Sequence, residues 1–121
     1  IVVSINQVFR DEVKIDILFM KGCIGYQNTK KFVEEIINER DISAEINLIQ
    51  IDNDRDARRL QFIGSPTVRV GGIDIEKDRI QTKDYGLRNR LYYGEGQPFA
   101  YPSKSMIEGA ILEMKLEKQN R

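Results

Sequence analysis

Between Val13 and Gly25 the hydrophobic period of the chain changes abruptly, and that change limits the folds open to it. Val13-Lys-Ile-Asp-Ile-Leu-Phe-Met20 alternates and then becomes continuously apolar, as a strand does on entering a buried sheet. Lys21-Gly22-Cys23-Ile24-Gly25 breaks the pattern. From Tyr26 to about Arg40 the apolar residues Phe32, Val33, Ile36 and Ile37 then fall at the spacing of one helix face. A buried strand that hands over directly to an amphipathic helix predicts an α/β architecture, with Cys23 at the junction.

The pattern repeats downstream. Residues 45–51 have strand composition, and Asp54 to Phe62 holds a short run of helix formers before Gly64. Thr67 to Val70 and Ile73 to Ile75 are β-rich and separated by Gly71-Gly72, a dipeptide suited to a two-residue hairpin turn. Residues 77–102 are polar and rich in Gly, Tyr and Pro; within them only Leu91-Tyr92-Tyr93 has the composition of a short strand. Ser103 to Glu108 offers N-cap hydroxyls and a capping box from Ser105 to Glu108, ahead of Met106, Ile107, Ala110, Ile111 and Met114 at helical spacing. That helix is expected to run to about Glu117. The predicted order is βαβαββα, in three αβα layers around a central mixed sheet, because strands joined by a crossover helix are normally parallel. One domain is expected over 1–121, with an N-terminal extension at 1–12 and an irregular insertion at 77–102.

Composition narrows the chemistry. The chain has no His, which removes the usual general base and transition-metal ligand, and a single Cys, which removes any internal disulfide or thiolate-rich zinc site. No cofactor and no metal is therefore expected, and a redox cycle would have to draw its second sulfur from another molecule. Nineteen Lys plus Arg balance nineteen Asp plus Glu, so charge supplies no case for a nucleic-acid or acidic-membrane partner. No apolar run approaches the ~20 residues that cross a bilayer, and residues 1–20 are charged too often for a signal peptide. A cytoplasmic location is the resulting expectation.

Ile51-Asp52, Ala57 and Ile63-Gly64-Ser65-Pro66-Thr67 resemble the stretch of the thioredoxin superfamily that runs from its second strand to the proline-threonine opening the third. In that family the proline follows a cis peptide bond and faces the active-site sulfur, and Pro66 is the matching position. Cys23 matches the first active-site cysteine, while the partner three residues on is replaced by Tyr26. Cys-x-x-Tyr is similar to single-cysteine members of the superfamily. A closer resemblance, across roughly residues 14 to 115, is to small thioredoxin-like proteins sometimes labelled alkylmercury-lyase-like. Its signs are the Gly22-Cys23-x-x-Tyr26 turn, Gly64-Ser65-Pro66-Thr67 and Tyr85-Gly86-Leu87-Arg88-Asn89-Arg90-Leu91-Tyr92. Such relatives often carry Cys where this chain has Asn89. An organomercurial lyase needs paired cysteines and an acid, a set that one Cys does not complete.

The resemblance implies that Cys23 is the reactive thiol, that Tyr26, Ser65, Pro66 and Thr67 shape the partner's groove, and that the partner is a small molecule or protein bearing a thiol or disulfide. The residues alone allow other readings. A thiolate at a helix N-terminus is favoured by the dipole, but free Cys is also among the most buried residue types. Tyr26 could hydrogen-bond a ligand or be half-buried packing. The backbone before Pro66 could pair with an extended peptide or only set a turn. Thr29 lies on the same helix. Arg88 and Arg90 could clamp an anion beside the thiol or be solvated surface. Asp52-Asn53-Asp54-Arg55-Asp56 lacks the Gly and Glu of a calcium loop and reads as a helix start. Gly94-Glu95-Gly96 lacks the strand and helix that frame a phosphate loop. Three functions remain open: monothiol-disulfide exchange, a non-catalytic binding or scaffold domain, and capture of a soft metal or organomercurial.

Overall fold

The computed structural model describes residues 12–77, 82–94 and 98–119. The extension expected over 1–12 lies outside them except for Glu12, as do 78–81 and 95–97 of the insertion, including most of Gly94-Glu95-Gly96. The described residues form β1 (Val13–Phe19), α1 (Ile24–Arg40), β2 (Ala44–Gln50), α2 (Asp54–Arg59), β3 (Thr67–Val70), β4 (Ile73–Asp74) and α3 (Lys104–Gln119). The four strands make one open mixed sheet in the order β2-β1-β3-β4. β1 pairs parallel with β2, Ile15 opposite Ile46, and antiparallel with β3, Ile15 opposite Val70.

Alternation on β1 divides the core in two. Val13, Ile15 and Ile17 turn to one face with Val68 and Val70, where they meet Val33 and Ile36 of α1 and Ile107 and Ile111 of α3. Leu18 turns to the other face and meets Ile51, Ala57 of α2 and Phe62. Helices α1 and α3 thus cover one side and α2 the other. Ile15, Ile17, Val33, Ile36, Ile107 and Ile111 are all fully buried, so truncating any one of these isoleucines to Ala should cost roughly 2–5 kcal/mol. Arg40 to Glu108 at 2.7 Å and Lys104 to Glu35 and Glu39 at 3.4 and 2.9 Å tie α1 to α3 at the surface; such exposed pairs add little stability.

Local chemistry explains the joints. Gly71 and Gly72 both have positive φ, 60° and 81°, as the tight β3–β4 turn requires. Asn53 caps α2 by accepting the Asp56 N–H at 2.8 Å, so Asp52 to Asp56 is the helix start its sequence suggests. At the start of α3, Ser103 Oγ accepts the Met106 N–H at 3.2 Å, and Glu108 pairs with Arg40 at 2.7 Å. Leu91 to Tyr93 contributes only a bridge, in which Tyr92 and Phe99 exchange two main-chain hydrogen bonds of 2.9 Å. Among the described residues no helix is long and apolar enough to cross a membrane.

Candidate functional site at the β1–α1 junction

Cys23 is the N-cap residue of α1, in extended conformation, and its side chain makes no capping hydrogen bond. Cys23 is a half-buried residue whose thiol is in no disulfide. No acidic side chain occupies the first turn of α1. Ile24, next in sequence, is 84% exposed. An aliphatic side chain that far into solvent leaves an apolar surface beside the thiol.

Two hydrogen bonds link Cys23 to the Ser65-Pro66 step. The Cys23 N–H donates to the Met20 carbonyl at 3.1 Å, and the Met20 N–H donates to Ser65 Oγ at 2.9 Å. Both backbone groups of Met20 are therefore used, one to close the turn carrying the thiol and the other to bind the loop before β3. The Ser65-Pro66 peptide is cis.

Tyr26 stacks on Phe19, with ring centroids 3.8 Å apart and planes 17° from parallel. It is half-buried packing that fixes the first turn of α1 against the end of β1. Thr29 is fully buried and donates to the Gly25 carbonyl at 2.7 Å, which removes it from any site. On Gly25 an added Cβ would lie 2.8 Å from both the Ala100 carbonyl oxygen and Tyr101 Cβ, so residues 100–101 press directly on the helix entry. Only glycine permits that approach.

Ser65, Pro66 and Thr67 are all buried. Thr67 Oγ1 donates to the Gly64 carbonyl at 2.6 Å, and the Pro66 carbonyl accepts the Tyr92 hydroxyl at 2.6 Å. The main chain of Ser65 is paired as well: its N–H donates to the Arg88 carbonyl at 2.8 Å, and its carbonyl accepts the Arg90 N–H at 3.1 Å. This corrects the expectation of a backbone open to an extended peptide before Pro66. The chain's own segment around Asn89 forms a parallel bridge there.

Of the two arginines, Arg88 stays at the surface and Arg90 does not. Arg88 folds back on Asp84, donating to its carbonyl and pairing with its carboxylate. Arg90 is 8% exposed and forks onto Asp74 at 2.7 and 2.8 Å, with Glu76 at 3.2 Å and Thr67 Oγ1 at 3.3 Å. Its Cζ also lies 4.2 Å from the centroid of the Tyr92 ring. Burial alone would lower the Arg90 pKa, but hydrogen bonds to Asp74 and Glu76 and the neighbouring charge outweigh it and hold the pKa above its ordinary value. Burial pushes the Tyr92 phenol up, opposed only in part by Arg90. Neither guanidinium points to an anion site. Sequence reading missed this network because Asp74 and Glu76 look like hairpin surface; alternation with Ile73 and Ile75 is the one local hint that they share a face. Among the described residues no cluster of His, Cys, Asp and Glu could hold a metal ion.

No family model, no curated protein and no solved structure matches this chain. The functional reading accordingly stands on the junction itself.

Proposed function

We propose that this chain is a single-thiol protein of the thioredoxin-like fold whose Cys23 exchanges with disulfides. The observation that carries the reading is a free, half-buried cysteine at an uncapped helix N-terminus, coupled through Met20 to the Ser65-Pro66-Thr67 loop. The order βαβαββα and the sheet order β2-β1-β3-β4 support the fold assignment.

In the proposed reaction the Cys23 thiolate attacks one sulfur of a disulfide in line with the S–S bond. A Cys23 mixed disulfide forms, the old S–S bond breaks, and the departing thiolate takes a proton from water. A second thiol from solution then attacks the mixed disulfide and frees Cys23. The second thiol leaves in a new disulfide with the half that Cys23 had held, so one exogenous disulfide is exchanged for another and one thiol is released for the one consumed, with no net change in the protein. Ile24 gives apolar contact to the partner, and Ser65 and Tyr26 keep the turn in place.

Incubation with bis(2-hydroxyethyl) disulfide tests this: intact mass should show one hydroxyethylthio group per chain, on Cys23, removed by added thiol. An unmodified chain would refute the reading. A non-catalytic binding domain is favoured by one observation, that the main chain beside Pro66 is already satisfied internally. Partner binding unchanged by Cys23→Ser would decide for it.

A further inference from the structure

The sheet ends on β2, and that edge is open. The ladder with β1 begins with the Val13 N–H on the Ser43 carbonyl at 3.0 Å and closes with the Ile51 N–H on the Phe19 carbonyl at 2.8 Å. A parallel ladder uses every second residue of a strand, so Ser43, Glu45, Asn47, Ile49 and Ile51 turn their main chain to β1. Ala44, Ile46, Leu48 and Gln50 turn theirs outward, and among the described residues no strand pairs with them. Ile46 and Leu48 lie opposite Ile15 and Ile17, on the α1 side of the sheet, yet are 37% and 42% exposed. Proteins usually blunt such an edge with Lys, Pro, a bulge or a very short strand. β4 does so at the other edge with two residues, whereas β2 runs for seven without Lys or Pro.

β2 is complementary to itself. An antiparallel copy centred on Asn47 sets Ile46 against Leu48 and Ala44 against Gln50, and each of these pairs exchanges both N–H···O bonds, so every outward group finds a partner. Ile46 and Leu48 of both copies then form one apolar row beside α1. Glu45, the single charged residue of β2, meets Ile49 of the second copy and not its own twin, so no like charges oppose each other. We infer that the outer edge of β2 is a docking surface for a second copy of this chain, joining two sheets across a twofold axis at Asn47. Cys23 takes no part: Phe19, at its end of β1, pairs with Gln50, so antiparallel docking sets the two Cys23 junctions at opposite ends of the joint sheet.

Sedimentation equilibrium in a reducing buffer tests the surface. Between about 1 and 500 µM, the span over which a small, weak interface fills, the mass should rise from 14.0 kDa toward twice that value, with Cys23→Ser behaving alike. Ile46→Lys should weaken association at least about tenfold, because a twofold interface carries the substitution twice; Leu48→Lys replaces it should Ile46→Lys fail to fold. Across the axis the two Asn47 Cα atoms should lie roughly 4.5 Å apart, within reach of a disulfide. In the Cys23→Ser background Asn47→Cys should therefore cross-link under copper-phenanthroline much faster than Gln50→Cys. A monomer at every concentration overturns the proposal, as does a dimer that depends on Cys23 or that both lysine variants leave intact. Equal cross-linking at 47 and 50 overturns it too. So does a monomer whose Ile46 and Leu48 amides are protected from exchange, since another part of the chain then covers the edge.

Discussion

Ser65→Ala is the substitution whose consequence follows most directly from the geometry. Ser65 is 2% exposed, and its hydroxyl accepts the Met20 N–H at 2.9 Å. Removing the oxygen leaves that amide without its partner in a partly buried position, at a cost of about 1–3 kcal/mol. For a chain of this size, 2 kcal/mol corresponds to a fall in Tm of roughly 6–12 °C. The loss should not stay local, because the Met20 carbonyl holds the Cys23 N–H at 3.1 Å. Urea unfolding should show a lower midpoint at unchanged slope, and amide hydrogen exchange should accelerate at Met20 and Cys23 while Ile15 and Ile17 keep their relative protection. A stability change under about 0.5 kcal/mol, the range of an ordinary surface substitution, with Met20 protection unaltered, would refute the claim that Ser65 couples the two loops.

Ser103→Ala should cost about 1 kcal/mol as the loss of an N-cap; an unchanged midpoint in chemical denaturation would show that Ser103 does not cap α3. Because the Tyr92 phenol is raised by burial, the folded state holds its proton where the unfolded chain, above pH ~10, has released it. Stability from this group is complete below that pH and should decline by up to about 1.4 kcal/mol per pH unit above it; Tyr92→Phe should flatten the alkaline slope, and identical slopes in wild type and variant would contradict the burial. Gly64→Ala, whose Cβ would lie 2.5 Å from that of Arg90, should destabilise by about 1–3 kcal/mol as an overpacking change and speed exchange of the Arg90 amide; an unaffected midpoint would show that the chain around Arg90 yields freely.

The strands and helices were legible because their periods are unmixed. Val13 to Phe19 carries both the alternation that splits the core and the apolar run that buries it, and Phe32, Val33, Ile36 and Ile37 trace the packed stripe of α1. Gly71-Gly72 announced its turn through the one property only glycine supplies cheaply. Cys23 was legible for the same reason: it stands where one period ends and the other begins. What stayed hidden depends on contacts distant in sequence. Arg90 meets Asp74 and Glu76 across 14 to 16 positions, and Ser65 meets Met20 across 45. No local pattern distinguishes a buried arginine from a solvated one, so Arg90 read as surface or as an anion clamp. At α3 the sequence offers two hydroxyls, Ser103 and Ser105, and the Met106 N–H bonds to Ser103.

The account depends on Cys23 presenting its sulfur from the folded protein, and the rate of its reaction with an aromatic disulfide reagent, in native buffer and in denaturing urea, measures that directly. The native thiol should react at a readily measured rate that does not depend on the unfolded fraction, since the reagent reaches it in the folded protein. A native rate that is negligible and grows only with the unfolded fraction would mean that the sulfur is shut inside, and the chemical role assigned to this junction would be lost.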